Sequence, residues 1–174
     1  MQEIVIRVPV LTTPRLVLRG FDERDFEAYA AMLADPEVSR HLGDGQPMGR
    51  RDAWRNFAMV VGHWALRGFG LWAVEERETG CFVGRVGLIE PVGWPGFELA
   101  YTLRRECWGR GYAREAGRTA LAYARDVLHR PEIISVIRPD NAASIRVAEA
   151  LGARRAETVE FFGAPSDVYR YGPR

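Results

Sequence analysis

Two glycines separated by one residue, Gly109 and Gly111, lie between a predicted strand and a predicted helix. Because glycine has no Cβ, the backbone N–H groups of such a turn can approach a bound group closely. The helix that begins there adds unpaired N–H groups and a partial positive charge of roughly half an elementary charge. This arrangement suits a phosphate or a pyrophosphate. Arg110, Arg114 and Arg118 continue the basic surface at intervals of four residues, although an ordinary turn beside a solvated helix face would show the same pattern.

A second pair of polar residues, Asn141 and Ser144, begins a later predicted helix. Residues three apart share one face of the first helical turn. Simple capping by Asn141 or Asp140, with Ser144 as an ordinary first-turn residue, is the alternative. The strand before this helix, 133–137, is expected to pair in parallel with strand 97–103. Both helix starts then lie at one edge of the sheet, where open α/β sheets bind their ligands.

The apolar pattern predicts the elements that must position these residues. The expected helices are 23–34, 51–66, 112–128 and 141–151, and the expected strands are 16–19, 70–76, 82–89, 97–103, 133–137, 156–162 and 168–171. The strand–helix–strand unit at 97–137 requires a parallel pair with a right-handed crossover. Runs of consecutive strands favour antiparallel pairs elsewhere. We therefore predict an α/β (α+β) fold, in which about four helices cover both faces of a mixed, mostly antiparallel sheet of about six or seven strands.

Composition excludes several classes of protein. All 24 basic residues are arginine, so enzymes that need a Schiff-base lysine, a P-loop lysine or the strand lysine of kinases are excluded. A net charge of +1 does not favour nucleic-acid binding, and no apolar run approaches the ~20 residues of a membrane helix. Residues 104–174 carry a net charge of +4 against −3 for residues 1–103, so any anionic ligand is expected on the C-terminal part.

The remaining composition is that of an intracellular globular protein. Cys81 and Cys107 are too few for a zinc or disulfide framework, so we expect no metal. The histidines His41, His63 and His129 are scattered and are expected to be surface or core residues. The N-terminus lacks the pattern of a signal peptide, so we expect a cytoplasmic location. The length and the lack of repeats or linkers predict one domain, 1–174.

The motifs resemble one known superfamily. The segment 108–116, Trp-Gly-Arg-Gly-Tyr-Ala-Arg-Glu-Ala, followed by Asn-Ala-Ala-Ser at 141–144 and Ala-Leu-Gly-Ala at 150–153, resembles the GNAT acetyl-CoA-dependent N-acetyltransferases. The opening 11–19, Leu-Thr-Thr-Pro-Arg-Leu-Val-Leu-Arg, is similar to that of the ribosomal-protein N-terminal alanine acetyltransferase branch. The similarity spans about residues 11–172. It implies a single GNAT-like domain whose parallel strand pair is splayed.

The resemblance also implies where coenzyme A binds. The residues whose backbone N–H groups would hold the pyrophosphate are Gly109, Arg110, Gly111, Tyr112, Ala113 and Arg114. The residues that would pair with the pantetheine arm as a further strand are Thr102, Leu103 and Arg104. Asn141 and Ser144 would approach the sulfur end. Trp108 stands where the superfamily pattern has Gln or Arg, and the branch commonly has tryptophan there.

Acetyl transfer requires a neutral amine that attacks the thioester. An N-terminal α-amine, with a pKa of ~7.8, is roughly a tenth neutral at pH 7, whereas a lysine amine is neutral about once in 2,500. The branch usually has a glutamate where Glu98 stands, so Glu98 is the candidate base, acting through water; a surface carboxylate is the alternative. Ser144 is the candidate acid for the thiolate, or it only orients coenzyme A. Many members use a tyrosine where Ala148 stands here, and Tyr101 and Tyr112 are the other candidate donors.

We therefore predict acetyl transfer from acetyl-CoA to a primary amine, a protein N-terminus or a small molecule, by direct attack in a ternary complex. The aromatic loop 94–97 could wall the acceptor pocket, and Glu37 and Asp44 could attract a cationic amine or be simple solvated acids. A catalytically silent acyl-CoA-binding sensor and an antibiotic or polyamine N-acetyltransferase are the alternatives. We expect no direct nucleic-acid or membrane partner; a homodimer is an expectation from the superfamily alone.

Overall fold

One open sheet with helices on both faces makes up residues 6–172, the part of the chain that the computed structural model describes. The strands of this part are β1 (Leu11–Thr12), β2 (Leu16–Arg19), β3 (Leu71–Glu76), β4 (Phe82–Ile89), β5 (Glu98–Leu103), β6 (Ile133–Ile137), β7 (Ala153–Phe161) and β8 (Ala164–Tyr171). The helices are α1 (Phe26–Ala34), α2 (Pro36–Ser39), α3 (Arg50–Arg67), α4 (Tyr112–Asp126) and α5 (Ala142–Ala150), with short 3₁₀ turns at Glu23–Asp25 and Arg105–Cys107.

The sheet contains a single parallel pair within the described residues. The strand order is β1-β2-β3-β4-β5-β6-β8-β7, and β5 with β6 is that pair. β4 and β5 pair at six positions, but β5 and β6 pair only at Glu98 and Ile134 before the strands diverge. The predicted mixed, mostly antiparallel sheet with a splayed parallel pair is therefore confirmed. The described sheet has eight strands rather than six or seven, because β1 has only two residues and shows no periodicity.

Two helical layers cover the sheet, as predicted. On one face, Ala116 and Ala120 of α4 pack in the core with Leu16, Leu18 and other strand residues. These small side chains let α4 lie close to the sheet. On the other face, Tyr29 of α1 and Phe57 of α3 pack against Ala73 and Phe82.

The helix boundaries agree closely with those predicted, with one addition. Asp22 caps the 3₁₀ turn that leads into α1, and Asp35 ends α1 and caps α2. The pattern did not predict α2, because a helix of four residues is too short for an apolar repeat. Among the helices of residues 6–172, none has the length and the apolar character needed to cross a membrane.

Candidate active site

A groove of about 540 Å³ opens where β5 leaves β6, beside the starts of α4 and α5. Its lining brings together most of the residues predicted to bind coenzyme A: Thr102, Leu103, Trp108, Gly109, Gly111, Tyr112, Ala113, Arg114, Asn141 and Ser144. Of the predicted set, Arg104 and Arg110 lie outside this lining. The Arg104 guanidinium donates to the Phe82 carbonyl at 3.2 Å and pairs with Glu106. The Arg104 N–H donates to the Val83 carbonyl at 2.9 Å and its carbonyl accepts the Cys107 N–H at 2.9 Å, so the Arg104 backbone is already engaged.

The glycine turn has the backbone that the motif predicts. Gly109 and Gly111 have φ angles of 74° and 78°, a left-handed backbone conformation that residues with a Cβ rarely adopt. Gly111 is the N-cap of α4, and the first helical hydrogen bond runs from the Glu115 N–H to the Gly111 carbonyl at 3.0 Å. The N–H groups of residues 112–114 precede that bond and have no acceptor within the helix. The turn therefore presents backbone donors that suit an anionic group.

Arg15 holds this turn from outside the groove. Its Nη1 donates to the Arg110 carbonyl at 2.9 Å, and its guanidinium lies 4.7 Å from the centre of the Tyr112 ring. Its Nε donates to Glu115 at 2.7 Å, and the Thr13 hydroxyl donates to the same carboxylate at 2.6 Å. Burial opposes ionisation of Glu115, but the hydrogen bonds from Thr13 and Arg15 outweigh it and hold its pKa below the usual value. Arg15 and Thr13 therefore fix the first turn of α4.

The free edge of β5 faces the groove. The Leu99 carbonyl accepts from the Ser135 hydroxyl at 2.6 Å, and the Leu103 carbonyl accepts from Trp108 Nε1 at 2.9 Å, so both carbonyls point away from β4. The backbone of Tyr101, between them, points the same way, because alternate residues of a strand share a hydrogen-bonding side. The Thr102 carbonyl lies against Gly84 of β4. The strand-like pairing predicted for residues 102–104 would therefore involve the backbone of Tyr101 and the N–H of Leu103.

Glu98 is buried at the point where β5 and β6 separate, with 7% of its surface exposed. Its Oε1 accepts the Val136 N–H at 3.0 Å, and its Oε2 accepts Trp94 Nε1 at 2.5 Å. Burial raises the pKa of Glu98 to about 7, against the opposing effect of these two hydrogen bonds. The alternative of a surface carboxylate is therefore wrong. An environment that brings a carboxyl pKa to neutrality is typical of a proton-transferring group.

A second cavity, of about 300 Å³, contains Glu98 and lies on the α1 and α3 side of the sheet. Of the loop 94–97 that was expected to wall the acceptor pocket, Trp94 lines this cavity, whereas residues 95–97 line a separate one. Trp94 packs edge-to-face on Phe161 with ring centres 4.8 Å apart. Phe162, at the tip of the β7–β8 hairpin, completes this wall, which the sequence did not predict. Of the two acids proposed to attract an amine, Asp44 lines this cavity and Glu37 lines the first groove.

The two cavities meet at a junction shared by His41, Leu42, Tyr101, Thr102, Asn141 and Ser144. Asn141 caps α5, as the alternative reading predicts: its Oδ1 accepts the Ser144 N–H at 3.1 Å. The Tyr101 hydroxyl donates to the Ser144 carbonyl at 2.9 Å, and burial raises the pKa of Tyr101 well above its usual value. Tyr101 therefore keeps its proton, and its hydroxyl is engaged with the Ser144 carbonyl.

The surroundings of three other residues of the sequence analysis bear on the junction. His41 was expected at the surface or in the core, but it lies at the junction, where its Nε2 is 3.4 Å from Asp140 Oδ2. The Tyr112 hydroxyl donates to Glu76 of β3, so this candidate donor is already engaged. Ala148 is fully buried in the core, which leaves Tyr101 as the phenol at the junction.

Comparisons with known proteins agree with this geometry. A family model described as the acetyltransferase (GNAT) domain matches residues 15–154. The chain is 30% identical over 167 residues to the uncharacterized protein YkkB of Bacillus subtilis, covering 91% of this chain and 93% of that one. It is also 30% identical to a solved acetyltransferase of Agrobacterium tumefaciens, with a TM-score of 0.86 and 99% of both chains covered.

A ribosomal L7/L12 alpha-N-protein acetyltransferase, RimL, solved in complex with coenzyme A, shares the fold. Its TM-score is 0.74 at 18% identity, with 94% of this chain and 96% of that one covered. The same assignment follows from the family match, the fold, the glycine turn at the start of α4 and the splayed strands. The chain belongs to the GNAT acetyltransferase family and is an acetyl-CoA-dependent N-acyltransferase.

Proposed function

We propose that this protein transfers the acetyl group of acetyl-CoA to a primary amine by direct attack in a ternary complex. The observation that carries the proposal is Glu98, a buried carboxyl with a pKa of about 7 in the cavity that meets the groove. A base is most effective when its pKa lies near the working pH. Acetyl-CoA would occupy the groove, with its pyrophosphate on the glycine turn and its thioester at the junction.

The reaction then needs two proton transfers. The lone pair of the neutral amine attacks the thioester carbon, and a C–N bond forms as the carbonyl electrons move to oxygen. Collapse of this intermediate breaks the C–S bond and releases the coenzyme A thiolate. Glu98 takes a proton from the amine, directly or through water. The thiolate takes a proton from the Tyr101 hydroxyl or from Ser144, both of which line the junction.

The lining of the second cavity limits the choice of acceptor. Its acids are Glu98 and Asp44, and it also contains Arg85 and Arg138. A polyamine carries several positive charges and needs several carboxylates, so this lining does not favour the polyamine alternative. It favours an acceptor with a single amine, an N-terminal α-amine or a small molecule.

The proposal is tested by release of free thiol from acetyl-CoA in the presence of an amine panel. The panel contains short peptides with free N-termini, amino acids, simple alkylamines and spermidine. Thiol release that depends on an acceptor, with an acetylated amine identified by mass spectrometry, supports the proposal. Tight binding of coenzyme A with no acceptor-dependent release across the panel would instead support the silent sensor.

A further inference from the structure

Arg85 of β4 is a half-buried cation in the second cavity whose partners are all neutral. Its Nη1 donates to Asn56 Oδ1 at 2.7 Å and to the Tyr29 hydroxyl, and its Nε lies 3.4 Å from Thr102 Oγ1. No carboxylate of residues 6–172 lies within ion-pair distance of it.

Arg19 of β2 shows how a largely buried arginine is usually neutralised, because it pairs with both Asp25 and Glu75.

Arg85 and Glu98 lie on the same face of adjacent strands. Arg85 is opposite Thr102 and Ile89 is opposite Glu98, so the two charged residues are offset by four positions, roughly 13 Å along the strands. The positions between them on this face are Gly87 and Ala100, which also oppose each other. These are the smallest residues on this face of β4 and β5. Ala100 lines the second cavity, so the surface between the candidate base and the cation belongs to that cavity.

We propose that Arg85 binds a carboxylate of the acceptor, so that the acceptor is a small amine that also carries a carboxylate group. The inference rests on the proposed function, because it places the amine at Glu98. The Arg85 Nη2 has no hydrogen-bond partner among the described residues and can donate charge-assisted hydrogen bonds to a carboxylate, and partial burial strengthens such a pair. A half-buried cation without an anion is costly, and a bound carboxylate removes that cost. The lining of the cavity also includes apolar side chains, among them Met59 and Leu71, which suit the body of an amino acid.

The test compares each of the common L-amino acids with its primary amide as acceptor. The measured quantity is the ratio of kcat/KM for the acid to kcat/KM for the amide. We expect this ratio to be roughly 10- to 100-fold larger in the wild type than in Arg85→Gln, because the variant loses the charged hydrogen bonds to the carboxylate. The intrinsic reactivity of each amine cancels, since both enzymes use the same two acceptors.

Two control variants distinguish carboxylate binding by Arg85 from the effect of removing any positive charge from the cavity and from the effect of altered packing. Arg138→Gln removes a cation from the same cavity, one that already donates to the Gly43 carbonyl at 2.7 Å, and should keep the wild-type ratio. Tyr29→Phe removes a neutral partner of Arg85 and should also keep the ratio. An equal fall in the ratio for Arg138→Gln and Arg85→Gln, or an unchanged ratio in Arg85→Gln, would overturn the proposal.

A measurement on the wild type covers the case in which Arg85→Gln does not fold. The acid that lacks the amine of the best acceptor should inhibit competitively against that acceptor, at least tenfold more strongly than its own amide. Equal inhibition by the acid and the amide overturns the role of Arg85. Amines that are turned over with no preference for carboxylates contradict this inference alone, whereas failure of every amine contradicts the proposed function itself.

Discussion

Replacement of Glu98 by glutamine should change how the stability of the protein depends on pH. The pKa of Glu98 is about 7 in the folded protein and 4.5 in an unperturbed glutamate. Between these values the folded protein keeps a proton that the unfolded chain has released. Stability from this group is therefore full below pH 4.5 and is lost as the pH rises through 7. A shift of about 2.5 pKa units corresponds to about 3 kcal/mol in total, most of which falls between pH 5 and pH 8.

Glutamine keeps the shape of the side chain but does not titrate. Both carboxylate oxygens of Glu98 accept hydrogen bonds, from the Val136 N–H and from Trp94 Nε1. The amide nitrogen of glutamine would face one of these donors, so Glu98→Gln is expected to lose stability at every pH. The informative quantity is therefore the pH dependence and not the absolute stability. The wild type should lose roughly 2–3 kcal/mol more than the variant between pH 5 and pH 8.

Urea unfolding at pH 5, 6, 7 and 8 measures this difference. Glu132→Gln, which changes an exposed glutamate in the loop before β6, is the matched control and should parallel the wild type. In the transferase assay, Glu98→Gln should lower kcat by ~10- to 1,000-fold and keep coenzyme A binding, and it should abolish the acidic limb of the kcat/KM profile near pH 7. Stability curves of the wild type and Glu98→Gln that run parallel from pH 5 to pH 8 would refute the reasoning, because Glu98 would then have an ordinary pKa.

Three further substitutions test the rest of the site. Arg15→Gln should raise KM for acetyl-CoA by roughly 5- to 50-fold with little change in kcat, because it loosens the turn without touching the acceptor; an unchanged KM in steady-state kinetics would exclude this role. Trp94→Phe removes a hydrogen bond that lowers the pKa of Glu98, so the acidic limb of the pH–rate profile should move to higher pH, and a move to lower pH would contradict the assignment. Tyr101→Phe should lower kcat by roughly 10- to 100-fold, and a larger loss in Ser144→Ala would instead assign the thiolate proton to Ser144.

Much of the fold was predictable, because its central elements carry strong local patterns. β2, β4 and β6 begin and end at the residues that their apolar runs indicate. α4 begins directly after Gly111, where the glycine turn predicts a helix start. β1 and α2 were not predicted, since a repeat cannot be recognised in elements of two and four residues.

The cofactor side of the site was more accessible to sequence reasoning than the acceptor side. The glycine turn and the start of α5 are continuous segments, so their function is visible in their spacing. The acceptor cavity is assembled from distant segments, and no local pattern indicates that His41, Arg85 and Phe161 share it. The contact of Arg15 with Glu115 joins residues 100 positions apart, so only the folded chain reveals it.

The separation of β5 from β6 explains both the groove and the unusual carboxyl. Where the strands diverge, the Val136 N–H and the Leu99 carbonyl lose the partners that a continuous parallel ladder would supply. Glu98 accepts the former and the Ser135 hydroxyl donates to the latter. Because an unpaired buried N–H is costly, a carboxylate is held in a dry position that raises its pKa. The group that we propose as the base therefore also accepts the N–H that is left unpaired where β5 and β6 diverge. Glu98→Ala would remove both the titrating group and this hydrogen-bond acceptor, whereas Glu98→Gln removes the titrating group and keeps an acceptor oxygen.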